Sequence, residues 1–383
     1  MSNASEDDYK LLRETVREFV RKEVIPISAR IDSEDYFPSE LFKKMGKMGF
    51  LGVTVPEEYG GSGMGYRAQA IISEELGYGS ASLALSYAAH SNLCLDNIYR
   101  NGSEYLRGEF VPKLASGEFI GSLCLTEPQS GSDALNMRTT SEISGDNFII
   151  NGSKTFITNA PYADLFLVYS RFKGAYNAYC ILSTDQGFSR GKKFDKMGMR
   201  GSPTGEIFFD SVSVNKNRLL GKIGGGKEII LSGLNSERVI LSFIFIGVAK
   251  RAMELALQYS TSRKQSGKYI GEFQMIQEKL AYMYTKLRTS RLLSEESLRL
   301  LSEDPMDSVG AACAILHSTE SAEYIARETI QIYGGYGYIK ENEPERLLRD
   351  AILGQIGAGT TEIRKKLVAS GIIKRFKENS IQL

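Results

Sequence analysis

Tryptophan is absent from this chain of 383 residues, and histidine occurs only twice. Any aromatic face offered to a ligand must therefore come from its 18 phenylalanines or 20 tyrosines. Cysteine is sparse as well. Cys94, Cys124, Cys180 and Cys313 stand far apart, none forms a CxxC pair, and only His90 and His317 could join them. That spacing argues against a zinc site and a disulfide framework, so no metal is expected and a reducing compartment fits best. An excess of one charge is missing too: 47 Lys and Arg balance 46 Asp and Glu. Nothing therefore calls for nucleic acid or an anionic membrane surface. The longest mainly apolar run, 239–248, stops at Lys250 and Arg251 and is too short to span a bilayer. The acidic opening, residues 1–8, has neither the arginines of a transit peptide nor the apolar centre of a secretion signal.

What is present suffices for a large core. Hydrophobic residues make up 42% of the chain, which at this length implies two or three domains. From Tyr9 to about Gly117 the pattern is helical. Leu11, Leu12, Val16, Phe19 and Val20 share a face, and helices are expected at 41–50, 66–76, 83–101 and 103–114. Period two then takes over. Strands are expected at 148–154, 165–169, 178–182, 206–209 and 211–214, with Asn151-Gly152 as a hairpin turn. The helical period returns at 227–263, 271–302, 308–333 and 360–376. No strand–helix alternation appears and no GxGxxG follows a strand, which counts against a Rossmann domain. The expected fold class is α+β: an N-terminal α-helical domain over 1–120, a middle antiparallel β-barrel or sandwich over 121–226, and a C-terminal helical bundle over 227–383.

Five segments carry candidate chemistry. Thr126 to Asp133 offers small residues, hydroxyls and backbone amides without bulk, which suits a polar ring or a phosphate as well as an ordinary turn. Phe156-Ile157-Thr158-Asn159 puts an aromatic face beside a hydroxyl. Arg263-Lys264-Gln265-Ser266-Gly267 ends a long helix, where cations suit either the helix terminus or a pyrophosphate. Gly334 and Gly335, after Gln331, let a backbone or ligand approach closely. Gly357-Ala358-Gly359-Thr360-Thr361-Glu362 is a turn into a helix N-terminus with free amides. To these we add Leu234-Asn235-Ser236-Glu237-Arg238, where an apolar helix begins. A carboxylate there is costly to keep ionised, so its pKa should rise towards what a general base needs near neutral pH. The plainer alternative is a structural Glu paired with Arg238.

In this order and spacing the segments resemble the acyl-CoA dehydrogenase family over roughly residues 9–373. Thr126 to Asp133 resembles its TEPxxGSD signature, and Lys154 to Asn159 its KxWITN segment. Arg263 to Gly267 resembles RxxFG, and Gln331 to Gly335 resembles QxxGG. The resemblance implies a C-terminal four-helix bundle, non-covalent FAD, an acyl-CoA substrate, an electron-transfer flavoprotein as acceptor, and a homotetramer built as a dimer of dimers. It implies flavin contacts at Leu125, Thr126, Gly131, Ser132, Phe156, Ile157, Thr158, Thr360, Thr361 and Glu362. It implies that Arg263, Gln274, Gln331, Gly334 and Gly335 reach FAD across a subunit interface. Many relatives carry the catalytic base as Glu in a YEGT turn. Here that turn reads Gly357-Ala358-Gly359-Thr360, so Ala358 cannot serve. The isovaleryl-CoA and long-chain branches carry the base on the earlier helix instead, and Glu237 fits that placement.

Substrate contacts implied in the same way are Ser132, Asn235, Arg238, Leu85, Gly357, Ala358 and Gly359. Leu85 to Cys94 is most similar to the isovaleryl-CoA branch, and Gly357 leaves width for a branched acyl chain. Straight short or medium acyl-CoA, a carrier-protein thioester, an acyl-CoA oxidase and a catalytically silent acyl-CoA-binding scaffold stay open as alternatives. Three departures from the family pattern stand out: Phe156 in place of Trp, Ser266 in place of Phe, and a short loop around 172–179. The expected location is the cytoplasm of a prokaryote, or the mitochondrial matrix for a processed eukaryotic chain.

Overall fold

This computed structural model describes residues 4–379, so residues 1–3 of the acidic opening and residues 380–383 lie outside the described residues. Helices come first. α1 (Glu6–Phe19) begins on a capping box between Ser5 and Asp8. α2 (Ser28–Ser33), α3 (Ser39–Lys47), α4 (Gly65–Gly79), α5 (Ala81–Ala88), α6 (Asn97–Asn101) and α7 (Glu104–Ala115) complete an N-terminal α-helical domain. α5 and α6 form one rod, joined by wide π-helical turns at 89–96. Every residue from 81 to 98 is buried except Leu85.

The middle domain is one mixed sheet of β1 (Gly121–Cys124), β2 (Thr140–Ser144), β3 (Asn147–Thr158), β4 (Leu165–Phe172), β5 (Ala175–Leu182), β6 (Phe188–Lys193), β7 (Thr204–Asn215) and β8 (Leu219–Leu220). Its order is β6-β7-β3-β2-β4-β5-β8, with β1 beside β4. Two features depart from the expected antiparallel barrel or sandwich. β1 runs parallel to β4, as does the start of β2, and β6 and β8 are open edges. The β2–β3 hairpin between β1 and β4 supplies the length that a parallel crossover needs. β4 is buried on both faces. Phe166 and Val168 pack with Phe148 and Ile207 inside the curled sheet, while Leu165 and Leu167 pack on Phe110 and Leu114 of α7.

Asn151-Gly152 is not a turn. β3 runs through it, and the register against β7 slips by one residue there. Gly152 (φ +144°) lies so close to Thr139 that an added Cβ would come within 2.6 Å of its Oγ1. The pair is thus a bulge, which the same residues can form as readily as a hairpin. The hairpin turn is Gly145-Asp146, between paired Ser144 and Asn147. A second slip between Lys154 and Ile157 sets Phe156 at φ +56°.

The third domain holds α8 (Gly226–Ser262), a small hairpin of β9 (Lys264–Gln265) and β10 (Lys268–Tyr269), α9 (Gln274–Glu303), α10 (Ser308–Tyr333), α11 (Gly335–Tyr338), α12 (Pro344–Ile352) and α13 (Thr361–Lys377). α8, α9, α10 and α13 make the bundle, with α10 against the other three. The glycines before α8 have a steric cause: a Cβ on Gly226 would sit 2.8 Å from the Tyr176 backbone. α8 is long and apolar enough to cross a bilayer, with mean hydropathy 1.6, yet 78% of that stretch is buried inside the protein. The run of 239–248 understated it. Val239, Ile240, Phe243 and Ile244 pack with α4 residues Ile72 and Leu76. Gly77 and Gly247 let the two backbones touch, since a Cβ on either would fall within 2.4 Å of a carbonyl oxygen of the other helix. α12 was not foreseen, although Pro344 in its first turn is a start signal. It buries Asp350, which accepts the Met199 N–H and whose pKa burial pushes up to about 6.

Candidate active site

Glu237 lies on α8 between buried Ser236 and Arg238. Its side chain is half-buried, and no hydrogen bond or ion pair engages its carboxylate among the described residues. Burial pushes it up to about 7, against the pull of Arg238 and Arg364. A carboxylate so placed can take a proton near neutral pH and give it back. Asn235 was expected at the substrate. Both ends of its amide are engaged by protein: Nδ2 donates to Pro305 O at 3.2 Å and Oδ1 accepts from Arg238 Nη1 at 3.1 Å. It therefore meets the site through Arg238.

Arg238 also donates from Nε to Ala358 O at 3.3 Å, which joins α8 to the turn before α13. In that turn Ala358 (φ +55°) and Gly359 (φ +92°) are both left-handed. Gly357, Ala358 and Gly359 are half-buried, and the space beside Gly357 is open to 3.6 Å. Ala358 and Leu85 both pack at the edge of the same core cluster. Leu85 is the one residue between 81 and 98 that is not fully buried. Thr360 caps α13 through its Oγ1, Thr361 hydrogen-bonds Gln355, and Glu362 is exposed.

A second group is built on β3, an interior strand of the sheet. Lys154 and Glu127 form a buried ion pair at 2.9 Å, and Lys154 Nζ also donates to Leu125 O at 3.0 Å. Burial would raise the Glu127 carboxyl, yet Lys154 and the neighbouring amides hold it below its ordinary range. Glu127 N–H and O pair with Ser130, and Thr155 N–H donates to Thr126 O at 2.9 Å. The polar loop with exposed Gly131 and Ser132 is thereby fastened beside the β3 bulge. There Phe156 is 65% exposed, with its ring 5.2 Å from that of Phe194. Ile157 turns into the sheet core and Thr158 is half-buried, so Ile157 can offer a ligand only its backbone. An exposed ring beside hydroxyls and free amides suits a flat heteroaromatic group with polar edges.

The remaining predicted residues are elsewhere. Arg263 ends α8, about 39 Å along the helix from Glu237. It shares a cavity of about 570 Å³ with Gly334, Gly335 and the stacked pair Tyr259 and Tyr333, whose rings are 4.1 Å apart. Gln274 and Gln331 are exposed nearby in sequence. Ser266-Gly267 forms the turn of the β9–β10 hairpin, both residues at positive φ.

The family profiles for the acyl-CoA dehydrogenase N-terminal, middle and C-terminal domains match residues 6–118, 122–212 and 224–373. The chain belongs to the acyl-CoA dehydrogenase family. Among its relatives, the mitochondrial isovaleryl-CoA dehydrogenase of Oryza sativa subsp. japonica is 40% identical, covering 96% of this chain and 92% of the relative. That of Solanum tuberosum is 38% identical, covering 96% and 91%. A solved glutaryl-CoA dehydrogenase bound to glutaryl-CoA superposes with a TM-score of 0.94 at 35% identity, covering 98% of this chain and 97% of that one. Membership makes the protein an acyl-CoA dehydrogenase in its chemistry, an oxidoreductase. In this family member the turn offers only the methyl of Ala358, and Glu237 stands across Arg238 from it. The short 172–179 loop is a tight hairpin, with Lys173 and Gly174 both at positive φ. Residue reasoning had passed over Arg364. It is fully buried, donates to Gly354 O and Gly357 O of the segment before α13, and reaches Thr319 Oγ1 on α10. Its position on the inner face of α13, one turn after the cap, was the available signal.

Proposed function

We propose that the chain catalyses FAD-dependent α,β-dehydrogenation of a short, branched, isovaleryl-like acyl-CoA, with Glu237 as the base. The observation that carries this is the unpartnered, partly enclosed carboxylate of Glu237 beside a turn whose own side chain is a methyl. Glu237 takes the α-proton. The amides of Ala358 and Gly359, which have no acceptor among the described residues, receive the charge that develops on the thioester oxygen. Leu85 and the space at Gly357 accept the acyl branch, where one methyl is worth about 1–3 kcal/mol of preference. Thr126, Ser132, Phe156 and Thr158 would hold the flavin ring, and bound FAD supplies the hydride acceptor. Thr360, Thr361 and Glu362 fit a further contact to it.

Arg263, at the far end of α8, lies too far from Glu237 to join that group within one copy, and Gly334 and Gly335 share its cavity while Gln274 and Gln331 are close to them in sequence. They support a homotetramer in which a neighbour supplies them. Met275, Tyr338, Ile373 and Phe376, each more than half exposed, give that assembly apolar surface to bury. Electron-transfer flavoprotein is the acceptor in this reading.

The test is direct. Purified protein is yellow, and an anaerobic panel of isovaleryl, isobutyryl, butyryl and octanoyl-CoA bleaches it, fastest with the branched esters. Glu237→Gln keeps the colour and is not bleached. Undiminished bleaching removes Glu237 as the base, and oxygen consumption would mark an oxidase.

A further inference from the structure

Arg364 heads the fully buried side chains by size. Its guanidinium donates to Gly354 O at 2.6 Å, to Thr319 Oγ1 at 3.2 Å and to Gly357 O. All three acceptors are neutral, and its Nε has no hydrogen-bond partner among the described residues. A buried cation without an acid is costly, and burial holds its pKa down to about 10. The charged groups facing it are Arg238 and Glu237 on α8 and Glu320 on α10, the last paired with Lys365 at 3.1 Å. Arg238 and Arg364 are also the charges that act on Glu237. Ala358, from the turn itself, adds none. The site thus carries two guanidinia against one carboxylate, a surplus of positive charge.

The peptide between Gly357 and Ala358 gives the surplus a direction. In a trans peptide the C=O and the following N–H point opposite ways. Because Arg364 holds Gly357 O inside, the Ala358 N–H faces away from it. That N–H has no acceptor among the described residues.

We propose that Arg364 is a positioning residue for the reaction: it turns the Ala358 amide toward the thioester oxygen, and its unpaired charge favours both ionised Glu237 and the enolate-like transition state. This rests on the functional reading above. Arg364 itself touches no substrate.

The probe is acetoacetyl-CoA, a 3-ketoacyl thioester whose enolate absorbs where its keto form does not. Its enolisation on the flavin-loaded protein, followed against pH, needs no turnover. Arg364→Gln should raise the pH midpoint by about one unit, a tenfold weaker hold on the enolate. Arg364→Lys restores the charge without the fork. It should recover about half of that shift while binding the enolate several-fold more weakly. Thr319→Val removes only one neutral partner and should leave the midpoint in place. A purely structural role would lower the melting temperature and leave every midpoint unchanged, which overturns the proposal. If the Gln variant does not fold, an unchanged midpoint and affinity in the Lys variant overturn it. Wild-type protein that neither enolises this ligand nor is bleached by any acyl-CoA sinks the functional reading, and this inference with it. Normal wild-type enolisation that ignores Arg364 sinks this inference alone.

Discussion

At the scale of single residues, the proposed base Glu237 sets the expected response to pH. Its carboxyl, raised to about 7 by burial, is protonated in acid and cannot accept a proton there. The rate of substrate-driven flavin reduction should therefore climb as pH rises through about 7, measured by anaerobic stopped flow. Stability runs the other way. A carboxylate whose folded pKa lies above its unfolded value of 4.5 destabilises the fold as pH rises past 4.5, and fully so above about 7. Glu237→Gln should thus be more stable than wild type by about 3 kcal/mol at pH 8 and equal to it near pH 4. Melting curves at the two pH values would check this, and equal shifts at both would refute it. The raised carboxyl was readable in sequence, because a Glu where an apolar helix begins is a pattern of types and positions; its role as base came from the family resemblance and is a proposal. Arg364 was not readable there. A buried Arg and a surface Arg look alike until the packing around α13 is known.

At the scale of elements, the β3 strand decides whether this end of the sheet can hold a ring. Two bulges in one strand re-aim its side chains, and the second turns Phe156 outward. Sequence pattern found the strand but took the first bulge for a hairpin, since Asn-Gly serves both and only pairing with β7 tells them apart. The polar loop before it rests on the Lys154–Glu127 pair. Lys154→Met leaves Glu127 buried without its cation, which should cost about 3–5 kcal/mol. The expected result is a clearly lower melting temperature and loss of bound flavin on gel filtration. An unchanged melting temperature would show that the amides of Arg138 and Thr139 suffice. The α12 helix escaped notice because it is short, and its hold on the 196–202 loop through Asp350 is a tertiary fact. Parallel pairing of β1 with β4 escaped for the same reason.

At the scale of the whole molecule, the three-part order of helices, sheet and helices was legible, because periods of 3.6 and 2 change abruptly at the borders. The expected helix over 227–263 already carried Glu237 near its start and Arg263 at its end; what could not be read is that Arg263 shares a cavity with Gly334 and Gly335. Light scattering should give the mass of four chains, and a monomer with tightly bound flavin would contradict the assembly. The length of α8 has a further consequence. If each centre draws Glu237 from one copy and Arg263 from its neighbour, two crippled proteins can mend one another. In a mixed dimer of Glu237→Gln with Arg263→Ala, one centre collects both lesions and the other collects neither. Random reassortment of equal amounts should then restore about a quarter of the centres from two nearly silent parents.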